Sequence, residues 1–369
     1  MEIQNATLAS LSVDGRGSYG IGASAVERTE DLYTYLRITD IRDDGTLNMA
    51  DLKSVDDEKA SQYLLKPNDI VFARTGASTG RNYFYDGTDG EFVYAGFLIK
   101  FSIDPNKVNP KYVKYYCMSD AYKGWIHSFN TGSTRGNINA QTLGGMPVPI
   151  PPRSQQDGIV DILSSLEKKI RKNTEINDNL EQQAQALFKK MFPDVLEDTA
   201  SDCFESIISF SNGKKRPQSG GSVPVYGGNG ILAYTSEVNA NNCVVIGRVG
   251  AYCGNTFLCQ GNCWVSDNAI QAKSKNEDSQ IFVYYLLKNA SLPTRHIGTG
   301  QPLMTQGILN AIPVSVPEQN AINNFIDNVS PMHKLISANL EENSKLAKTR
   351  DILLPQLMSG ELDVSEIDI

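Results

Sequence analysis

The chain has 369 residues, 40% of them hydrophobic and 21% charged, with a formal net charge of −8. This length predicts two or three domains, and the composition is that of a globular protein. No apolar run approaches the roughly 18 residues a bilayer span needs, and the first residues lack the basic-then-apolar order of a secretion signal, so the expected location is the cytoplasm.

In chain order, residues 1–152 form a strand-rich globular segment. Tyr33–Thr39 and Asp69–Ala73 carry the β-branched and aromatic bias of strands. Asp86-Gly87 marks a turn, and Asn109–Met118 has the pattern of a short helix. Residues 153–193 then show helical spacing close to a 3.5-residue repeat, with Ile159, Leu163, Leu166, Ile170, Leu180, Ala184 and Leu187 on one stripe. Asn173 and Asn177 fill the gap on that stripe. Pro151-Pro152 opens the helix and Pro193 closes it.

Residues 194–317 are a second strand-rich segment. Cys243–Ile246 and Cys263–Val265 are predicted strands, Gly227–Gly230 a turn and Gln280–Leu287 a short helix. Residues 318–360 repeat the helical stripe through Ile322, Phe325, Val329, Met332, Ile336, Leu340, Asn343, Leu346 and Leu353. Pro331 and Pro355 predict a kink and a bent last turn, and Gly360 a stop. Residues 361–369 form an acidic tail. One helix's stripe needs a partner, and the other helix supplies it in an antiparallel coiled coil. Asn173, Asn177, Asn339 and Asn343 would fix its register. The alternative is that each helix packs only on its own globular segment.

The second half repeats the first. A shift of 166 positions lays Pro147-Val148 on Pro313-Val314, Asp161 on Asp327, Asn177 on Asn343 and Leu187 on Leu353. With a shift of 174, Arg74-Thr-Gly-Ala-Ser-Thr-Gly80 falls on Arg248-Val-Gly-Ala-Tyr-Cys-Gly254. This is a duplicated module, too long for a solenoid repeat of roughly 20–50 residues. The acidity sits on the helices: residues 1–153 carry 16 Lys+Arg against 18 Asp+Glu and residues 199–317 carry 8 against 6, whereas residues 154–198 carry 6 against 9 and residues 318–369 carry 4 against 9.

No phosphate loop, nucleophile elbow or zinc-protease pair occurs. Asn109-Pro-Lys-Tyr112 is similar to the N-P-P-Y of amino-methyltransferases but lacks its second proline and a glycine-rich cofactor loop. An ordinary helix opening accounts for it. Of the six cysteines, Cys253, Cys259 and Cys263 crowd together, but the three histidines lie elsewhere and no C-x-x-C pair exists. Buried free thiols are expected and no metal site.

What remains is a set of candidate polar contacts. The glycine loops suit close backbone approach to a phosphate or base edge, with Arg74, Arg81 and Arg248 reaching out. They equally suit a tight turn whose arginine ties down a carboxylate such as Asp267. Lys214-Lys215-Arg216 suits phosphate contact or plain solvation. Lys123 and Arg135, beside Thr131-Gly-Ser-Thr134, have a counterpart in Arg295 and Gln301, which could read bases or merely bridge.

These residues, taken together, resemble the specificity subunit of Type I restriction–modification enzymes. The resemblance rests on Pro147-Val-Pro-Ile-Pro-Pro152 leading into Gln155-Gln156, on Ala184-Gln-Ala-Leu-Phe-Lys189, and on Leu353-Leu-Pro-Gln-Leu-Met-Ser-Gly-Glu-Leu362. Pro224–Gly230, Ile246–Gly250 and Trp264–Ala269 add to it. The first helix opens with Ser154-Gln155-Gln156 where the family usually has Glu-Gln-Gln, and the second with Glu318-Gln319-Asn320.

The resemblance implies an α+β fold with an internal pseudo-two-fold repeat. Two target recognition domains (1–152 and 194–317) would be separated by two antiparallel spacer helices (153–193 and 318–360). It implies a non-catalytic subunit that reads a bipartite site on double-stranded DNA. Methyltransferase subunits would dock on it and restriction–motor subunits would join the complex. S-adenosylmethionine, ATP and Mg would sit on those partners, and this chain would hold no cofactor. A rival reading is a coiled-coil scaffold with two protein-binding heads, which predicts no salt-dependent DNA affinity.

Overall fold

The structure, a computed structural model, describes residues 4–129, 137–197, 199–218, 220–298 and 300–364. Two compact units divide the chain: residues 1–171 with 343–369, and residues 172–342. Both mix strands with helices, and both are completed by parts of the two long helices, Arg153–Met191 and Gln319–Ser359.

In the first unit, strands Ser18–Tyr19, Leu98–Ser102, Asp69–Ala73 and Asn82–Tyr85 form an antiparallel sheet in that order. A second sheet orders Ala25–Val26, Lys53–Val55, Thr34–Leu36 and Phe92–Tyr94, the last pair parallel. Asp69–Ala73 is buried throughout, as its apolar run predicts. Its buried Asp69 carboxylate accepts from Lys66 N and the Ser102 hydroxyl and faces Lys100 Nζ at 3.2 Å. That satisfies a charge that would otherwise be costly to bury.

The helix Pro110–Tyr116 starts on the Asn109 side chain, which accepts from Lys111 N, with proline in its first turn. Tyr112 and Tyr116 donate their hydroxyls to the carbonyls of Pro149 and Pro147. Those prolines lie on strand Pro147–Ile150, which pairs with Gln4–Thr7. The buried Gln156 amide then locks the start of the long helix, accepting from Asn109 N at 2.8 Å and donating to Pro151 O at 2.8 Å. Ile159, Val160 and Leu163 share one core with Leu354, Leu357 and Val364, so the two helices pair within this unit through aliphatic side chains.

The second unit has a six-stranded sheet in the order Ile208–Asn212, Ala269–Ser274, Ala240–Gly247, Thr256–Val265, Val223–Gly227, Gly230–Thr235. Strand Pro313–Val314 pairs with Asp202–Cys203. The helix Gln280–Asn289 buries Phe282, Val283, Tyr285 and Leu286. Here the helix pair closes on aromatic rings: Phe188 lies within 6.1 Å of Phe192, Phe282, Tyr285 and Phe325, centroid to centroid. Farther along, Asn339 Nδ2 donates to Asn177 Oδ1 at 2.8 Å and Asn173 Nδ2 to Glu342 Oε2 at 2.7 Å. Of the four expected register residues, Asn177 and Asn339 thus meet each other, while Asn177 Nδ2 is buried without a partner.

Of the expected seam, Leu163, Asn173, Asn177 and Val329 are buried, and Ile170, Leu180, Leu187, Ile336, Asn343, Leu346 and Leu353 are half-buried. One expectation fails. Leu340 is 58% exposed, its place on the seam taken by Asn339. The second helix runs through Pro331 and Pro355 as one element of 41 residues and ends, as expected, before Gly360 at φ +75°. Buried Phe325 and Val329 before Pro331, and His333 after it, hold that turn in place from outside. The cysteines are free thiols, buried as expected except for the half-buried Cys203. Cys253 packs in a different cluster, and the residue that joins Cys259 and Cys263 is Cys243.

Candidate nucleic-acid interface

The two Arg–Gly loops share one backbone. Gly76 and Gly250 have φ of +70° and +71°, and Gly80 and Gly254 have +89° and +88°. Thr75 and Val249 are extended at φ −136° and −135°. The closing bonds match too: Gly80 N donates to Ala73 O at 2.9 Å and Gly254 N to Gly247 O at 2.8 Å. A Cβ at Gly80 would stand 2.5 Å from Ile126, and one at Gly254 2.5 Å from Pro293 N. Left-handed backbone and close approach together require glycine there.

Each loop leaves its strand through the arginine, whose main chain is held on both sides. Arg74 N donates to Phe97 O and Arg74 O accepts from Ile138 N; Arg248 N donates to Asn268 O and Arg248 O accepts from Met304 N. The side chains share a further property: Arg74 Nε and Arg248 Nε are both buried with no hydrogen-bond acceptor. Among the described residues no ion pair ties either guanidinium to a carboxylate, and Asp267 is exposed to solvent. The carboxylate-tie reading of these loops therefore fails. The Arg74 guanidinium lies 5.0 Å from the Tyr19 ring centroid, and its Nη2 is 3.5 Å from Asn137 Oδ1. A buried donor lacking an acceptor costs about 1–3 kcal/mol, which a phosphate or base oxygen would recover.

Exposed aromatic rings accompany both arginines. Tyr19 is 42% and Phe97 60% exposed in the first unit, and Tyr252, within the loop itself, 47% in the second. Sequence reasoning missed all three, since an aromatic residue gives no sign of exposure until its neighbours are known. Lys214, Lys215 and Arg216 are exposed. Lys214 is fixed through its main chain: its N donates to Val265 O, and its O accepts from Trp264 Nε1 at 3.3 Å. The basic run is thus anchored on the sheet.

The other candidates divide differently. Arg81 pairs with Asp43 at 2.6 Å and donates to Ile41 O, so its charge is spent internally. Arg295 Nε donates to Ala290 O just past the helix Gln280–Asn289, a capping role. Lys123 is solvent-exposed beside Asp120 at 3.6 Å. Gln301 is exposed. Arg135 and Thr131–Thr134 lie outside the described residues.

Two polar clusters join sheet domain to helix. In the first unit, Lys114 and the Tyr115 hydroxyl both donate to Glu167 Oε2. In the second, Tyr284, Tyr285 and Lys288 donate to Glu181, and Tyr285 Oη also lies 2.9 Å from His333 Nε2. Burial first, then the Glu181 charge, push the Tyr285 pKa up. Burial pulls His333 below its ordinary value, against the opposing pull of Glu181. These groups are tied to one another in hydrogen bonds that bridge each short helix to a long one, so they serve as structural joints. No helix among the described residues is long and apolar enough to cross a membrane.

Known proteins match this chain in sequence and in fold. The family model described as "Type I restriction modification DNA specificity domain" matches residues 28–182 and 202–342. The HindI specificity subunit of a Type I restriction enzyme from Haemophilus influenzae is 31% identical over 133 residues, which cover 35% of this chain and 29% of that protein. The aligned stretch thus spans less than a third of that relative's length. The crystal structure of a Type I restriction–modification S subunit from M. genitalium shares the fold, with a TM-score of 0.57, 18% identity, and coverage of 97% of this chain and 96% of that one. The chain therefore belongs to the family of Type I restriction–modification DNA specificity domains, and both of its halves carry the family's pattern.

Proposed function

We propose that this chain is the non-catalytic DNA-specificity subunit of a Type I restriction–modification complex. Each unit reads one half of a bipartite, asymmetric site on double-stranded DNA. The observation that carries this reading is the duplicated loop, in which Arg74 and Arg248 each hold a buried, unsatisfied Nε beside exposed aromatic rings. Lys214, Lys215 and Arg216 add phosphate contacts on the second unit, and Lys123, Gln301 and Arg135 are further contact candidates. Arg81 and Arg295, engaged internally, would act by holding loops. Methyltransferase subunits dock on the helices and restriction–motor subunits join them. Those partners carry S-adenosylmethionine, ATP and Mg.

The test uses the assembled complex. Arg74→Ala should weaken binding roughly 10- to 100-fold, about 1–3 kcal/mol, and relax sequence choice in one half-site only; Arg248→Ala should do the same in the other half. A map of methylated adenines reads both effects. Relaxation of the same half by both variants, or of neither, would sink the assignment. Charge reversal at Lys214, Lys215 and Arg216 should instead weaken binding across all sequences and flatten the salt dependence. An unchanged slope of affinity against salt would remove that run from the interface.

A further inference from the structure

Cys243, Cys259 and Cys263 stand together for a reason the strand pattern does not supply. In a regular strand, residues four apart are separated by about 13 Å. Cys259 and Cys263 share the strand Thr256–Val265, yet all three sulfurs lie within 4.8 Å of one another. The pairing explains it. Asn241 pairs with Asn262 but Cys243 with Cys259, so the register slips by one residue between them. Gly261 at φ +97° and Asn242 at φ +46° make the bend. An asparagine in the left-handed region is uncommon, and a bulge of this kind re-aims side chains.

We infer that these three cysteines form an all-sulfur site for one soft, thiophilic ion. Cys243 Sγ and Cys263 Sγ are 3.8 Å apart. Two sulfurs bound to one ion at about 2.3 Å with tetrahedral angles stand about 3.8 Å apart. The three side chains are buried among Ala240, Val245, Val265 and Ala269, and no disulfide joins them. Sulfur donors in apolar surroundings select thiophilic ions over Mg or Ca. Among the described residues no histidine or carboxylate completes a fourth position, so the site differs from a four-ligand structural zinc centre.

A divalent ion displaces three protons to solvent and leaves the cluster with one net negative charge. Arsenite exchanges its three hydroxyls for three thiols and releases three waters, which leaves the cluster neutral. A buried net charge is unfavourable, so the trivalent species suits the site better. Either occupant pins Ala240–Gly247 to Thr256–Val265, the strands that hold the Arg248 loop between them.

The experiment titrates the reduced full-length protein with Cd²⁺ and, separately, with arsenite. Sulfur-to-cadmium absorption and intact mass are followed. One ion per chain is expected, with at least a 10-fold loss of affinity in Cys243→Ser, Cys259→Ser and Cys263→Ser, and none in Cys203→Ser or Cys253→Ser. Should a serine variant fail to fold, alkylation of the wild-type protein decides: the ion should shield Cys243, Cys259 and Cys263 and leave the others reactive on unfolding. Absence of stoichiometric binding by both ions, or protection that maps to other cysteines, overturns the inference. Tighter binding of arsenite than Cd²⁺ identifies the neutral cluster as the preferred state.

Discussion

The two units meet their helices through the same tyrosine but different chemistry. Tyr115 and Tyr285 occupy matching places in the helices Pro110–Tyr116 and Gln280–Asn289, with Val113 matching Val283. Tyr115 donates to Glu167. The 166-position repeat sets His333 where Glu167 stands, and Tyr285 bonds to that histidine instead. The second unit then takes its carboxylate from Glu181, together with Tyr284 and Lys288. The cores diverge in parallel. Ile159 and Leu354 in the first unit correspond to Phe325 and Phe188 in the second. Duplication kept the joint and let its electrostatics and packing drift, which makes the units separable by experiment.

The largest expected effect is on the aromatic core. Phe188→Ala should cost roughly 3–5 kcal/mol, because several packed rings line the cavity it would leave. Hydrogen exchange resolved by residue should show the loss within residues 172–342. Equal loss of protection in both units would mean they unfold as one body and end the comparison.

A smaller effect is expected at the asparagine pair. Asn339→Ala removes the Nδ2 donor from the buried Asn177 Oδ1 and should cost about 1–3 kcal/mol by denaturant unfolding. Replacing Asn177 and Asn339 together by Leu should recover most of that, since the first unit's helix pair is already aliphatic at Leu163, Leu354 and Leu357. A double variant less stable than the single one would show that the amides do more than fix register.

The smallest effect is on pH response. His333 has a folded-state pKa below 6.5, so the unfolded chain binds a proton first as pH falls. Stability of the second unit should therefore decline as pH drops below 6.5 toward the folded value, and stay level above it. Glu181, Tyr284, Tyr285 and Lys288 all face this site, and His333→Gln should flatten the decline. A variant with the same slope in this window as the parent would place the titration elsewhere.

Much of this was legible in the chain itself. The helical stripes gave both long helices, because a 3.5-residue period survives without knowledge of the partner. The paired glycines of Arg74–Gly80 and Arg248–Gly254 announced a shared turn, because left-handed backbone leaves a mark in residue type. Buried free thiols were legible from the cysteine spacing, but their grouping was not, since Cys243 reaches Cys259 and Cys263 only across a register slip, which sequence spacing cannot express. Leu340 misled for the opposite reason: an apolar residue near the stripe can still face water when the supercoil turns past it. His333 escaped notice because its partner, Tyr285, lies 48 positions away. Nothing in the sequence marked Tyr19, Phe97 and Tyr252 as exposed rings, since residue type alone does not say which neighbours cover an aromatic side chain.

The division of the chain carries one more consequence, for the order in which a ribosome delivers it. The second unit is continuous, residues 172–342, whereas the first needs residues 343–369 as well as 1–171. Leu354, Leu357 and Val364 are buried in the first unit's core beside Ile159 and Leu163. Domains usually complete themselves from the N-terminus during synthesis. In this chain the module made first must wait, its apolar stripe open, until the module made second has been finished and the final turns of helix arrive to close it.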